Sequence, residues 1–257
     1  MSPEARRYAN ERLPVLERID GKAETDRLWR NLLSSQPMAF SIAGHLHHHR
    51  EDAATLMSAL TDLQVASTAR LDAGPAAWQD YGLDGIDAEW FPPRAEHTND
   101  MSGSDIAACL LLTDDRRVLI TIEVKYTDSF SPKPITWSRY AKHLSALGIS
   151  ESATQRLVKA GCSQVLRQVM ITDSVRRQGL AAGRDGDGRV DDGLAVILAR
   201  EDDSRARRVA TTLDRAVGNI IPVRLWSHRQ FFSEAQRIPG LRDWATAMTA
   251  RYVPVDS

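Results

Sequence analysis

The chain has 257 residues, of which 42% are apolar and 26% are charged, and its formal net charge is −1. This length accommodates one large α/β domain or two small ones, and the composition excludes a disordered or fibrous chain. The near-neutral charge excludes a global basic field, so contacts to a polyanion would need local basic clusters. Such clusters occur at Arg27 and Arg30, at Lys133, Arg139 and Lys142, and at Arg205, Arg207 and Arg208.

The N-terminus and the cysteines indicate the cellular compartment of the protein. The first residues lead into a charged helical pattern and lack the apolar core of a secretory signal. Two cysteines are too few for a disulfide framework, and Cys109 lies in an apolar run typical of a core position. No apolar run approaches the ~20 residues of a bilayer span. We therefore expect a cytoplasmic protein without membrane contact.

The first part of the chain reads as helices followed by strands. Amphipathic spacing predicts helices over 3–19, 24–33, 37–46 and 52–63. In the second of these helices, Leu28, Trp29, Leu32 and Leu33 would form the apolar stripe. Strand-like runs follow over 63–71, 86–91, 106–112 and 118–124.

The second part alternates helices with strands, which favours an α/β fold. Helices are predicted over 137–147, 151–160, 163–178, 204–217, 228–236 and 240–251. A buried strand is expected over 194–199. The run over 220–226 contains a proline and should be an edge or late strand. The hairpin described next makes the sheet mixed.

The most informative segment is a predicted hairpin whose strands surround the loop Thr113-Asp114-Asp115. Strand residues alternate between faces, so Glu123 and Lys125 point to one side while Ile122 and Val124 point to the other. With this three-residue loop, Asp105 falls directly opposite Glu123. A slip of one residue would send Asp105 to the apolar face. Hydrophobic patterning alone therefore brings two carboxylates and a lysine together.

Two adjacent carboxylates repel each other and need a compensating cation. Oxygen ligands suit Mg²⁺, which keeps several waters and completes its shell with substrate phosphates. A lysine beside the metal can position a water or neutralise charge on a reacting phosphate. The alternative is a salt-bridged surface hairpin, because acids and lysines are common on solvated faces.

The acid at Asp105 followed by Glu123-Val124-Lys125 resembles the PD-(D/E)XK nuclease superfamily, and more narrowly a bacterial group of restriction endonuclease-like proteins. The segment Ser34-Ser35-Gln36 and the acid-bearing strand over 86–90 support the narrower resemblance, as does the polar helix around Gln164. One departure is Ser104, which stands where the superfamily name has proline.

The resemblance implies an αβββαβ core with a mixed sheet flanked by helices, in a single domain over 1–257 with the helices of 1–62 packed on the core. It also implies divalent-metal-dependent phosphodiester hydrolysis. Asp105 and Glu123 would bind Mg²⁺, with Mn²⁺ as a possible substitute, and the Val124 carbonyl would be a further ligand. Lys125 would position the attacking water.

DNA is the expected substrate, with RNA left open, and cleavage of both strands would suit a homodimer. The competing hypothesis is a catalytically silent nuclease-fold module that binds nucleic acid or another partner, which the near-neutral charge favours. A silent module has no reason to keep three converging charges at Asp105, Glu123 and Lys125.

Four further residues are weaker candidates. Gln164 and Gln168 lie one helical turn apart and would orient water or phosphate, or else form an exposed amide pair. Ser35 and Gln36 are candidates for substrate binding, although Ser35 could simply cap a helix before Pro37.

Two motifs suggest metal sites that we do not expect. His45, His47, His48 and His49 look like a metal cluster, but no carboxylate motif joins them and a polar helix face is the preferred interpretation. The run over 185–190 resembles a calcium loop but lacks its first carboxylate and its final glutamate.

Overall fold

The structure is a computed structural model, and it describes residues 1–21, 23–31, 33–74, 76–181 and 188–254. The helices are α1 Pro3–Arg18, α2 Thr25–Arg30, α3 Ser35–His48, α4 Arg50–Thr61, α5 Trp137–Ala146, α6 Glu151–Lys159, α7 Ser163–Gln178, α8 Ser204–Val217, α9 His228–Gln236 and α10 Arg242–Tyr252. The strands are β1 Val65–Thr68, β2 Arg70–Leu71, β3 Leu83–Asp84, β4 Ile86–Trp90, β5 Ser104–Leu112, β6 Arg117–Val124, β7 Asp192–Ala199 and β8 Val223–Ser227. Short 3-10 helices cover Ala76–Tyr81, Arg94–Glu96 and Pro239–Leu241.

The central sheet has the order β1-β5-β6-β7-β8, and β4 also pairs with β5. The β4–β5 and β5–β6 pairs are antiparallel, whereas β6–β7 and β7–β8 are parallel. The predicted mixed sheet flanked by helices is thus confirmed. From α3 onward the order α, β4, β5, β6, α7, β7 reproduces the expected αβββαβ core, with α4 and three short strands inserted after α3.

Strand alternation places a hydrophobic core on each face of the sheet. Even-numbered residues of β6, such as Ile120 and Ile122, pack with apolar side chains of α1, α3, α9 and α10. On the other face, Leu119 packs against Ile171 and Val175 of α7. Helix α7 is buried on nearly all sides, which makes its polar residues interior groups. Within the described parts of the chain, no helix is both long and apolar enough to cross a bilayer.

Several local expectations need correction. The helix expected over 24–33 is shorter, and of its proposed apolar stripe Leu28 is buried whereas Trp29 and Leu33 are exposed; Leu32 lies outside the described residues. The next helix begins at Ser35, before Pro37, and the Oγ of Ser34 accepts the cap hydrogen bond from the Gln36 amide. The calcium-like motif at Asp185 and Asp187 falls outside the described residues.

The histidine segment also differs from the expected polar helix face. His45 is buried and its ring stacks on Trp244 at a centroid distance of 4.5 Å. The Nδ1 atoms of His47 and His48 form hydrogen bonds with the backbone carbonyls of Ile86 and Gly44, respectively. These rings therefore serve packing and local hydrogen bonding.

Candidate active site

The hairpin of β5 and β6 has the predicted register. Ile106 pairs with Ile122 and Leu110 with Val118, which places Asp105 across from Glu123. The amide of Val124 donates to Oδ2 of Asp105 over 2.7 Å and ties the carboxylate to the neighbouring strand. Register, set by burial of the apolar face, thus positions the two acids side by side.

Lys125 lies beside the acids and is buried together with Glu123, whereas Asp105 is half-buried. Its Nζ is 2.8 Å from Oε1 of Glu123, and the side chains are only 6% and 4% exposed. The Lys125 backbone amide donates to the Leu198 carbonyl of β7, which anchors the end of β6 in the sheet. The ammonium also lies 5.1 Å from the centre of the Phe130 ring. The Glu123–Lys125 pair is therefore an interior feature and not part of a solvated surface hairpin.

A third carboxylate, Glu89, was not among the residues expected at the site. The pairs Ala88–Ile106 and Trp90–Ser104 place Glu89 across from Asp105, on the side opposite Glu123. Its backbone has a φ of +49°, a left-handed value that is uncommon for a non-glycine residue. The acid-bearing strand over 86–90 was the available signal, but nothing in the sequence showed which strand lies beside β5.

These carboxylates open into a cavity of about 230 Å³. Its lining carries three acidic and three basic side chains, together with the apolar side chains of Phe91 and Met101. The charged residues are Glu89, Asp105, Glu123, Arg94, Lys133 and Arg167. Arg167 is buried, and its Nη1 donates to the Lys133 carbonyl over 2.9 Å. The cavity lining is therefore mixed in charge.

The pKa values of the site reflect burial and mutual repulsion. Burial raises the pKa of Asp105 well above its ordinary value, and the charges of Glu123 and Glu89 add to this effect. Burial, followed by the Glu123 charge, raises the pKa of Glu89 to about 7, while Arg27 opposes the shift. Burial acts to lower the pKa of Lys125, but the Glu123 and Asp105 carboxylates outweigh it and leave the pKa raised.

The donor chemistry fits a hard divalent cation. Repelling carboxylates in a low-dielectric cavity are stabilised by a nearby positive charge, and oxygen donors are the ligands that Mg²⁺ prefers. Asp105 and Glu123 would hold the ion, with Glu89 facing the same cavity. Across the described ranges, no group of three or more histidine, cysteine or acidic residues is arranged to hold a metal ion. Waters, the Val124 carbonyl and substrate oxygens would complete the shell.

Comparison with known protein families assigns the chain to one of them. A family model of the PD-(D/E)XK nuclease superfamily matches residues 1–254. The chain belongs to this superfamily. No curated protein and no solved structure matches it. Membership supports a nuclease-type function on nucleic acid, and PD-(D/E)XK nucleases generally use divalent metals.

The two glutamines of α7 differ in what they contact within this PD-(D/E)XK site. The amide nitrogen of Gln164 donates to Oε1 of Glu123 over 2.5 Å, and its Oε1 accepts from the Ser131 backbone. Gln168 is fully buried and donates to the Oγ of Ser104, which accepts from the Ile122 amide. The alternative interpretation of these glutamines as an exposed amide pair is therefore wrong. Gln164 reaches a charged site residue directly, whereas Gln168 braces the strands behind it.

Ser35 and Gln36 are not in the cavity lining. The backbone amide of Ser35 donates to Oδ2 of Asp128 over 2.7 Å, and Arg27 forms an ion pair with the same carboxylate at 2.9 Å. Asp128 follows β6 and is close enough to Lys125 for the two charges to interact. The N-terminal segment is thus fastened beside the candidate site, and substrate binding by Ser35 and Gln36 stays a prediction.

Proposed function

We propose that this protein is a Mg²⁺-dependent endodeoxyribonuclease that hydrolyses phosphodiester bonds of DNA. The observation that carries the proposal is the placement of Asp105 opposite Glu123, with Lys125 Nζ 2.8 Å from Glu123. A buried and a half-buried carboxylate with an adjacent buried ammonium suit a cation and a phosphate, and this arrangement has no evident structural use, because buried charges are costly.

Asp105 and Glu123 would bind the metal, and Mn²⁺ could replace Mg²⁺. A bound divalent ion would stabilise the attacking and leaving oxygens in phosphodiester hydrolysis. The Val124 carbonyl is a further ligand candidate, since the Val124 amide is already hydrogen-bonded to Asp105. Lys125 would position the attacking water, and Gln164 would hold Glu123 in place.

Closed circular DNA tests the proposal because it has no ends for an exonuclease. Purified protein should cut single-stranded or supercoiled circles with Mg²⁺ or Mn²⁺, and chelation with EDTA should stop cleavage. Asp105→Asn should lower cleavage at least 100-fold, because it removes a metal ligand. Cleavage that persists in Asp105→Asn would show that another site or a contaminant is responsible. Cleavage of RNA in place of DNA would replace the substrate assignment.

One observation favours the silent-module alternative. Oε1 of Glu123 is contacted by both Lys125 and Gln164, so this oxygen has partners without any metal. Calorimetric titration with Mg²⁺ and Mn²⁺ separates the two hypotheses. Metal binding that is lost in Asp105→Asn supports the enzyme, and absence of binding even with DNA present supports the silent module.

We further propose a cytoplasmic location and, if the substrate is a duplex, a homodimer that places one site on each strand. The free, buried thiols of Cys109 and Cys162 support a reducing compartment. Sedimentation with and without duplex DNA measures the oligomeric state. A monomer under both conditions would contradict the homodimer.

A further inference from the structure

We propose that the site takes a single unpaired nucleotide, so that the substrate is single-stranded DNA or an unpaired segment within a duplex. This inference rests on the proposed function and specifies its substrate. It is carried by the burial of the reacting side chains, the size of the cavity and the mixed character of its lining.

The first observation behind this proposal is the burial of Glu123 and Lys125. Their side chains are only 4% and 6% exposed, and Glu123 lines the cavity, so a phosphate must enter the cavity to reach Glu123. The cavity has a volume of about 230 Å³, and a continuous duplex, whose bases are stacked and paired, is too bulky to follow its phosphate into it. One nucleotide of a flexible strand can enter and bring its phosphate to the acids.

The lining matches the parts of a nucleotide. Lys133 and Arg167 line the same cavity as the carboxylates and supply positive charge for phosphate oxygens. Phe91 and Met101 supply apolar surface that a phosphate alone would not use. The Arg94 guanidinium lies 4.2 Å from the centre of the Phe91 ring, which gives a stacked pair at the cavity wall. Bases stack on aromatic and guanidinium planes when they are unpaired.

Exposed apolar side chains lie close to the same site. Among the described residues, Trp29 and Leu33 are the large apolar side chains that remain exposed, at 37% and 62%. Their segment is fastened to the loop after β6, because Thr127 Oγ1 donates to the Leu33 carbonyl over 2.7 Å and Arg27 pairs with Asp128. Arg27 is also close enough to Glu89 to lower its pKa. This segment is therefore held beside the loop after β6, and we assign its exposed Trp29 indole as the surface on which a neighbouring base of the strand would stack.

The test compares binding and cleavage of matched oligonucleotides. Fluorescence anisotropy in Ca²⁺ measures the affinity of a labelled 20-nucleotide single strand, the blunt duplex of the same sequence, and that duplex with a central four-nucleotide bubble. We expect the single strand and the bubble to bind at least tenfold more tightly than the blunt duplex. Cleavage in Mg²⁺ should follow the same order.

Three variants link the preference to this site. Trp29→Ala should weaken single-strand binding about tenfold through lost stacking, and Trp29→Phe should restore most of it. Lys133→Gln should lower the salt dependence of single-strand binding by about 0.7 in log–log slope, the value for one phosphate contact. Lys159→Gln removes an exposed lysine that lies outside the cavity lining and outside the basic clusters, and it should change neither quantity.

The outcomes separate this inference from the proposed function. Blunt duplex that binds as tightly as the single strand, or is cut as fast, would overturn the inference and leave hydrolysis standing. Single strand that binds with the expected preference but is never cut would support the inference and remove the proposed hydrolysis. Equal binding by wild type and Trp29→Ala would overturn the placement of the strand across Trp29.

Discussion

The side-chain amide of Gln164 donates to Oε1 of Glu123, the same oxygen that Nζ of Lys125 contacts. Because Gln164 Oε1 also accepts from the Ser131 amide, this one side chain joins α7, β6 and the loop between them. The carboxylate of Glu123 is therefore held by two donors that approach from different elements, and its orientation depends on the packing of α7.

We expect Gln164→Ala to lower cleavage about 10- to 100-fold, the range for a residue that orients a metal ligand. The melting temperature should change little, because Gln164 is only partly buried. Steady-state rates and thermal melts check this. Gln155→Ala on the exposed side of α6 is the matched control. A wild-type rate in Gln164→Ala would show that Gln164 does not position Glu123.

Lys125→Met keeps the aliphatic stem and removes the charge, so it isolates the electrostatic contribution. We expect it to abolish most cleavage and to raise the pKa of Asp105 further, because the Lys125 charge favours the ionised form of this acid. The burial of the ion pair predicts a loss of about 3 kcal/mol in the free energy of unfolding, since Glu123 is left without its cation.

The double variant Glu123→Gln/Lys125→Met should be more stable than Lys125→Met alone, because it removes the buried Glu123 charge that the single variant leaves unpaired. Urea denaturation of the wild type, both single variants and the double variant measures the coupling. Near-wild-type cleavage by Lys125→Met would make Lys125 a structural residue and contradict its proposed role.

Because the side chain of His97 is buried, we expect the protein to lose stability in mild acid. Its Nδ1 contacts Ser174 and its Nε2 contacts the Leu180 carbonyl, and burial lowers the pKa of His97 to about 4. Below its ordinary value of 6.5, the unfolded state binds a proton that the folded state does not. The free energy of unfolding should therefore fall as pH drops from 6.5 to 4, by up to about 3 kcal/mol.

Urea denaturation at several pH values checks this, with His97→Gln as the test variant. Gln keeps a donor and an acceptor but does not titrate, so the dependence of stability on pH should be shallower between pH 6.5 and 4. His45, whose pKa burial also lowers to about 4, would account for part of the slope that remains. An unchanged slope in His97→Gln would rule out this contribution.

The variant Gly44→Ala tests whether the N-terminal helices unfold together with the sheet as one cooperative unit. A Cβ at this position would lie 2.8 Å from the Ala5 Cα and 2.9 Å from the Tyr8 ring. Glycine to alanine in a helix ordinarily stabilises by ~1 kcal/mol, but here the clash between α1 and α3 should reverse the sign, with a loss of about 1–3 kcal/mol.

Circular dichroism and tryptophan fluorescence should report one coincident transition for both wild type and Gly44→Ala, as a single domain over 1–257 requires. Two separate transitions would contradict the single-domain prediction. A gain in stability would show that α1 and α3 are not in close contact.

The sequence by itself determined the hairpin and its register, because alternation with period two leaves one arrangement that buries the apolar face. It therefore placed Asp105, Glu123 and Lys125 together. Most helix and strand positions also followed from periodicity, as for α7 and β7. Where periodicity is short, as in α2, the exposed Trp29 and Leu33 were expected in the core.

Only the tertiary structure decided what surrounds the hairpin. Glu89 joins the site because β4 pairs with the edge of β5 that faces away from β6. Gln164 reaches Glu123 because α7 packs across the sheet. The burial of Lys125 likewise comes from neighbouring elements. Local alternation specifies which face a side chain takes, whereas these contacts depend on how distant segments bury one another, and that has no local signature in the chain.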